Sequence, residues 1–136
     1  MPVCFFWDIE NVSFHNLERI MLHTGRDEDE KRYVVYSKIK EARKEKLLEK
    51  GWILIETDGI SKNSADYKIQ NMIQIILEDR SSLPDKIYLI TEDKGFFNIS
   101  QKIIDTGIKL EIICSTKDPQ WIKNLTFPAA YGGGES

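Results

Sequence analysis

The chain has 136 residues, 41% of them apolar and 30% charged. That length fits one domain of roughly 100–200 residues, and the balance excludes a disordered chain while leaving material for a core that buries roughly two thirds of the unfolded surface. A net charge of −3 excludes a bulk basic coat for sequence-blind binding of duplex nucleic acid, and no apolar run approaches the roughly 20 residues that span a bilayer.

Five short apolar runs punctuate the chain. Val3–Trp7 (V-C-F-F-W) comes first, followed by Tyr33–Tyr36, Trp52–Ile55, Ile87–Ile90 and Leu110–Cys114, with Glu111 the only charge among them. They are β-branched or aromatic and do not alternate, the pattern of strands covered on both faces. Between them lie helical patterns: Phe14–Leu22, Glu41–Lys50, a third through Ala65, Ile69, Met72, Ile73, Ile76 and Leu77, and a fourth through Phe96, Ile99 and Ile103 that closes at Gly107. Asn63 or Ser64 can cap the third. Asp118-Pro119 opens a last short helix through Trp121 and Ile122. Gly25–Arg32 and Asp58–Asn63 read as loops. The order predicts an α/β, three-layer αβα fold with a central parallel sheet of about five strands and right-handed crossovers. We expect a single domain over 1–130, a flexible tail over 131–136 and no signal peptide. Cys4 and Cys114 lie inside apolar runs, as buried reduced thiols of a cytoplasmic protein do.

In an open parallel sheet, ligands bind beyond the carboxyl ends of the strands, at the point where the strand order reverses. Asp8, Glu10 and Asn11 follow the first strand, Asp58 the third, Thr91, Glu92, Asp93 and Lys94 the fourth, and Ser115, Thr116 and Lys117 the fifth. The first run is the longest, so we place it centrally with the fourth strand beside it. Asp8 and Asp93 then share a crevice that Asp66 overhangs from its helix. Carboxylates crowded there repel one another unless a cation sits among them. Hard oxygen ligands suit Mg²⁺ or Mn²⁺, and that chemistry serves phosphoryl transfer.

Each acid also has a plain structural reading. Asp8 can end a strand, Asp66 can sit favourably in the first turn of a helix, and Asp93 can form an Asx-turn. Asn11 can hold a metal-bound water or a phosphate oxygen, or cap the helix at Phe14 in competition with Ser13. Lys62, Lys68 and Lys94 can contact phosphate or simply be solvated. The segment Lys38–Lys50 carries a local net charge of +3 against −6 for the rest. It reads as a solvated amphipathic helix, with a backbone-binding ridge for nucleic acid as the lesser reading. Trp7, Trp52, Phe5 and Phe6 read as core, and neither His15 nor His23 has ligand spacing.

The segments F-W-D-I-E-N-V (Phe6–Val12), N-S-A-D-Y-K (Asn63–Lys68) and L-I-T-E-D-K-G-F (Leu89–Phe96) resemble, in this order, the motifs of the NYN domain family, PIN-like ribonucleases of the limkain type. The resemblance spans Val3 to Cys114. It implies a PIN-like sheet and endonucleolytic cleavage of single-stranded RNA by a metal-activated water. Asp8 matches the first metal ligand, Asn11 its accompanying polar residue, Asp66 the acid on the third helix, and Asp93 the first acid of the last motif. Gly95 stands where the family usually has a second Asp, and Glu92 where it has Gly, which makes Glu92 a substitute ligand.

The expected site is therefore Asp8, Asp66, Asp93 and Asn11 for catalysis, with Asp8, Asp66, Asp93 and Glu92 around Mg²⁺ or Mn²⁺. Asn11, Lys62, Lys68 and Lys94 are the expected substrate contacts. Single-stranded RNA is the expected partner, with a homodimer or larger protein complex as the candidate assemblies and no membrane. The missing acid at Gly95 favours a second reading, a catalytically weak NYN-like module that binds RNA or protein. A third is a phosphoacceptor receiver domain using Asp8, Asp58, Thr91 and Lys117.

Overall fold

The structure, a computed structural model, describes residues 2–27, 29–60 and 63–129. Lys62 and the expected tail at 131–136 lie outside them. Five strands alternate with helices: β1 (Val3–Asp8), α1 (Leu17–Met21), β2 (Glu30–Tyr36), α2 (Glu41–Glu49), β3 (Trp52–Glu56), α3 (Ser64–Glu78), β4 (Lys86–Ile90), α4 (Phe97–Asp105), β5 (Lys109–Ile113) and α5 (Gln120–Lys123). All pairings are parallel, in the order β3-β2-β1-β4-β5. The fold is a three-layer α/β sandwich, consistent with a PIN-like arrangement.

All six residues of β1 are buried, because strands flank it on both sides and apolar layers cover both its faces. Phe5, Trp7 and Ile9 meet Leu17, Ile20 and Leu47 of the α1–α2 layer. Cys4 and Phe6 meet Ile69, Ile73, Phe96, Ile99 and Ile103 of the α3–α4 layer. Alternate β1 side chains thus enter opposite layers, as strand geometry dictates. Trp7 is fully buried, and its indole N–H donates to the Val12 carbonyl at 2.6 Å. Truncating it to Ala would cost about 3–5 kcal/mol and loosen the turn that follows Asp8. Trp52, Phe5 and Phe6 are core as well, and Cys4 and Cys114 are buried free thiols.

The edge strands depart from the expectation of cover on both faces. β3 and β5 are half-buried, and Ile53 is 43% exposed. Glu30–Arg32 is strand, not loop. Val3 through Phe5 need partners there, Glu30 pairs with Arg32 at 2.6 Å, and the Arg32 guanidinium donates to the Lys50 carbonyl at 2.7 Å. The Phe14–Leu22 segment divides into a 3₁₀ turn (Phe14–Asn16) and α1. Among the described residues no helix is long and apolar enough to cross a membrane.

Candidate functional site

Because the order reverses at β1 and β4, the crevice lies between their carboxyl ends. Register sets its walls: Trp7 pairs with Ile90, so Asp8 comes level with Thr91, the first residue beyond β4. The chain then turns away at Asp8, whose carbonyl accepts the Asn11 and Val12 amides. Asp93 opens a 3₁₀ turn (Lys94–Phe96) ahead of α4. Asp66 occupies the first turn of α3, which crosses back over the sheet to deliver β4.

Asp8 is 5% exposed and Asp66 8% exposed. Burial, then the neighbouring charges of Asp66, Glu10 and Asp93, push the Asp8 carboxyl up to about 7, against a lowering hydrogen bond from the Glu10 amide. Burial and the Asp93 carboxyl beside it also raise Asp66, partly offset by the Gln70 side chain. Asp66 Oδ2 and Asp93 Oδ1 converge on Gly95. Carboxyls crowded in this way favour a proton or a cation among them.

Gly95 fixes how close the pair can stand. Its φ is not in the left-handed region, so the backbone does not require glycine. The space is tight: a Cβ there would lie 3.0 Å from Asp66 Oδ2 and 3.4 Å from Asp93 Oδ1. The Gly95 amide donates to Asp93 Oδ1 at 2.9 Å, and its carbonyl accepts from Gln70 Nε2 at 3.2 Å. Gln70 Nε2 also donates to Asp66 Oδ1. Gln70 is thus a positioning residue that the sequence reading missed. Its place four residues beyond Asp66, on the same helix face, was the available signal.

The structure brings Asp8, Asp66 and Asp93 into one electrostatic neighbourhood. Among the described residues, however, no three His, Cys, Asp or Glu side chains stand close enough to hold a metal ion as they are. Asp66 and Asp93 converge on Gly95, with Asp8 close enough to feel both charges.

Glu92, Asn11 and Lys68 have surroundings other than those expected. Glu92 is not beside the acids: its carboxylate accepts from the Ser115 amide and hydroxyl and from the Thr116 amide at 3.3 Å. Those bonds, led by the Ser115 hydroxyl, hold it below the usual carboxylate range. Parallel pairing of β4 with β5 makes the loop after β5 its nearest set of donors. Asn11 does not cap the turn at Phe14, whose N-cap is Ser13, and its side-chain oxygen is engaged within the protein. That oxygen accepts the Glu92 amide at 2.6 Å and the Thr91 hydroxyl at 3.2 Å, tying the loop after β1 to the loop after β4. Lys68 lies two residues from Asp66, which on a helix is nearly the opposite side. It lines a groove of about 830 Å³ with Tyr67, Asn71 and Lys102 instead. Lys94 is exposed in the turn between Asp93 and Gly95 and flanks the crevice. Asp93 does form the Asx-turn of its plain reading, and its carboxylate still faces Asp66.

Strand order also disposes of the receiver arrangement. Asp58 follows β3, at the sheet edge two strands from β1, and its carboxylate caps its own turn through the Ile60 amide at 3.0 Å.

No family model matches the sequence, and no curated protein is significantly similar to it. Among solved structures, the fold is similar to the crystal structure of a protein of unknown function from Vibrio parahaemolyticus. The two are 14% identical, with a TM-score of 0.68, over 91% of this chain and 88% of that chain. At that identity the likeness concerns the fold alone.

Proposed function

We propose that the protein is a divalent-metal-dependent endoribonuclease acting on single-stranded RNA. The observation that carries this reading is the convergence of Asp66 and Asp93 on Gly95 beside buried Asp8, at the point where the strand order reverses. Burying two acids, Asp8 and Asp66, beside a third destabilises a fold unless their charge is used. An all-oxygen donor set of this kind fits Mg²⁺ or Mn²⁺. Asp8, Asp66 and Asp93 would hold the ion, which when bound supplies an activated water and charge for the developing phosphoryl anion. Hydrolysis adds that water's oxygen to phosphorus and breaks one P–O ester bond.

The protein's own residues do the rest. Gln70 holds the Asp66 carboxylate through Oδ1 and ties it to the Gly95 carbonyl. Asn11 holds the two loops in register, so Asp8 and Asp93 keep their relative position. Lys94 offers a cation to a phosphate approaching the crevice mouth. Low net charge favours a flexible single strand, which can bend its phosphate into a recess, over a rigid duplex. The motif resemblance to NYN domains supports the same reading. The test is Mn²⁺-dependent cleavage of single-stranded against double-stranded RNA, with loss of activity in Asp8→Asn and Asp93→Asn.

One observation favours a second reading, a binding module with little catalytic power. Gly95 supplies no further acid, and the three acids do not close to coordinating distance among the described residues. RNA that is retained but uncut at saturating Mn²⁺ would select it.

A further inference from the structure

A second recess lies on the other side of β1 from α3. It encloses about 410 Å³ and is lined by Ile9, Glu10, Phe14, Lys38, Lys40 and Arg43, among others. Its floor is apolar and its rim is basic. Arg43 is half-buried, with its guanidinium 5.0 Å from the centre of the Phe14 ring, which fixes a long side chain at the pocket wall. Lys38 and Lys40 are exposed at the mouth. Among the described residues no carboxylate pairs with any of these three cations. Glu10 is the one acid of the pocket against these three cations; one of its oxygens accepts from the Ser37 hydroxyl at 2.6 Å, the Ser37 amide at 2.9 Å and the Lys38 amide at 3.1 Å. The recess therefore keeps a surplus of positive charge.

The groove beside α3 differs. There Glu56 and Asp58 balance Lys68 and Lys102, and side-chain amides make up much of the remaining lining. The basic recess is also close to the acids along the chain, since Ile9 and Glu10 follow Asp8 directly. A phosphate chain entering a crevice of three acids meets repulsion that nearby unpaired cations offset.

We infer that the Lys38–Lys40–Arg43 recess is a phosphate-binding subsite. On the proposed reading of the neighbouring crevice, it takes a backbone phosphate of the bound single-stranded RNA, flanking the one cleaved. Arg43 presents a planar fork that grips phosphate oxygens, and the lysines add point charges.

The test measures binding of a fluorescently labelled single-stranded RNA octamer by anisotropy, with chelator present so that no cleavage intervenes. The double variant Lys40→Ala, Arg43→Gln should bind roughly tenfold more weakly at low salt, and the slope of log affinity against log salt should flatten by about 0.7, the value for one single-strand phosphate contact. Arg43→Lys, which keeps the charge, should retain most of the affinity. The charge-matched control Lys46→Ala, Lys109→Ala, with both residues exposed and outside the recess, should bind within about twofold of the parent. Thermal melts confirm that each variant is folded. Equal weakening by the two double variants would overturn the subsite in favour of diffuse attraction. A second probe, inorganic pyrophosphate followed by amide NMR shifts, separates this inference from the RNA reading. Shifts confined to Lys38–Arg43 without RNA binding would uphold the phosphate subsite and refute RNA as the partner. An absence of pyrophosphate shifts and of RNA binding would overturn both.

Discussion

Replacing Asp8 by Asn should stabilise the metal-free protein above neutral pH and do little in acid. Unfolded, the carboxyl releases its proton near 3.8; folded, it keeps it to about 7. Between those values the folded state binds more protons than the unfolded state. This residue's contribution to stability therefore falls as pH rises through the window and levels off above it. At about 1.36 kcal/mol per unit, the full penalty at pH 8 reaches at most about 4 kcal/mol. Asn removes the charge, keeps the shape and can still accept the Glu10 amide. Other acids titrate in the opposite sense. Glu10 and Glu92 are held below their usual range, so they stabilise at neutral pH and lose that contribution as pH falls. Only the difference between parent and variant isolates Asp8. Urea unfolding in chelator across the acid-to-alkaline range should give a variant gain of about 1–4 kcal/mol at pH 8, shrinking to near zero close to pH 4. A gain independent of pH, or a loss at pH 8, would refute the claim that Asp8 is held against repulsion.

Three further outcomes follow from the same geometry. Mn²⁺ or Mg²⁺ should raise the melting temperature of the parent, because binding to the folded acids is linked to stability; a calorimetric scan of Asp8→Asn should show most of that rise abolished. Glu92→Gln should lower stability by about 1–3 kcal/mol through its weakened bonds to Ser115 and Thr116 while leaving the metal-induced shift intact, whereas a lost shift would return Glu92 to the ligand set. Gly95→Asp should lower metal-free stability, because its Cβ must displace Asp66 Oδ2 from 3.0 Å and its charge adds to the cluster. A faster cleavage rate for that variant at matched Mg²⁺ would instead identify Gly95 as a lost ligand.

The fold was largely legible because its strongest signals are physical constraints on burial. An unbroken V-C-F-F-W run can be satisfied at the centre of a parallel sheet, and β1 is there with all six residues buried. The i, i+4, i+7 spacing from Ala65 to Leu77 likewise gave the face of α3 that packs on the sheet. Glu30–Arg32 was misread because a charged run carries no sign of the neighbour it will pair with. Asp8, Asp66 and Asp93 could be placed from strand order and helix position, which fix where a residue starts. The partners of Glu92 and Asn11 could not, since their contacts span 23 and 81 residues of sequence. Gln70 needed only helical spacing to find, and attention to acids alone passed over it.

The most direct measurement is cleavage of an end-labelled single-stranded RNA by the purified protein, with and without Mn²⁺, beside Asp8→Asn and Asp93→Asn prepared identically and shown to be folded. The account predicts fragments with the parent only when Mn²⁺ is present, at least roughly a hundredfold slower cleavage in either variant, and little cutting of the same sequence as a duplex. Cleavage that survives both substitutions, or that proceeds equally in chelator, would contradict it.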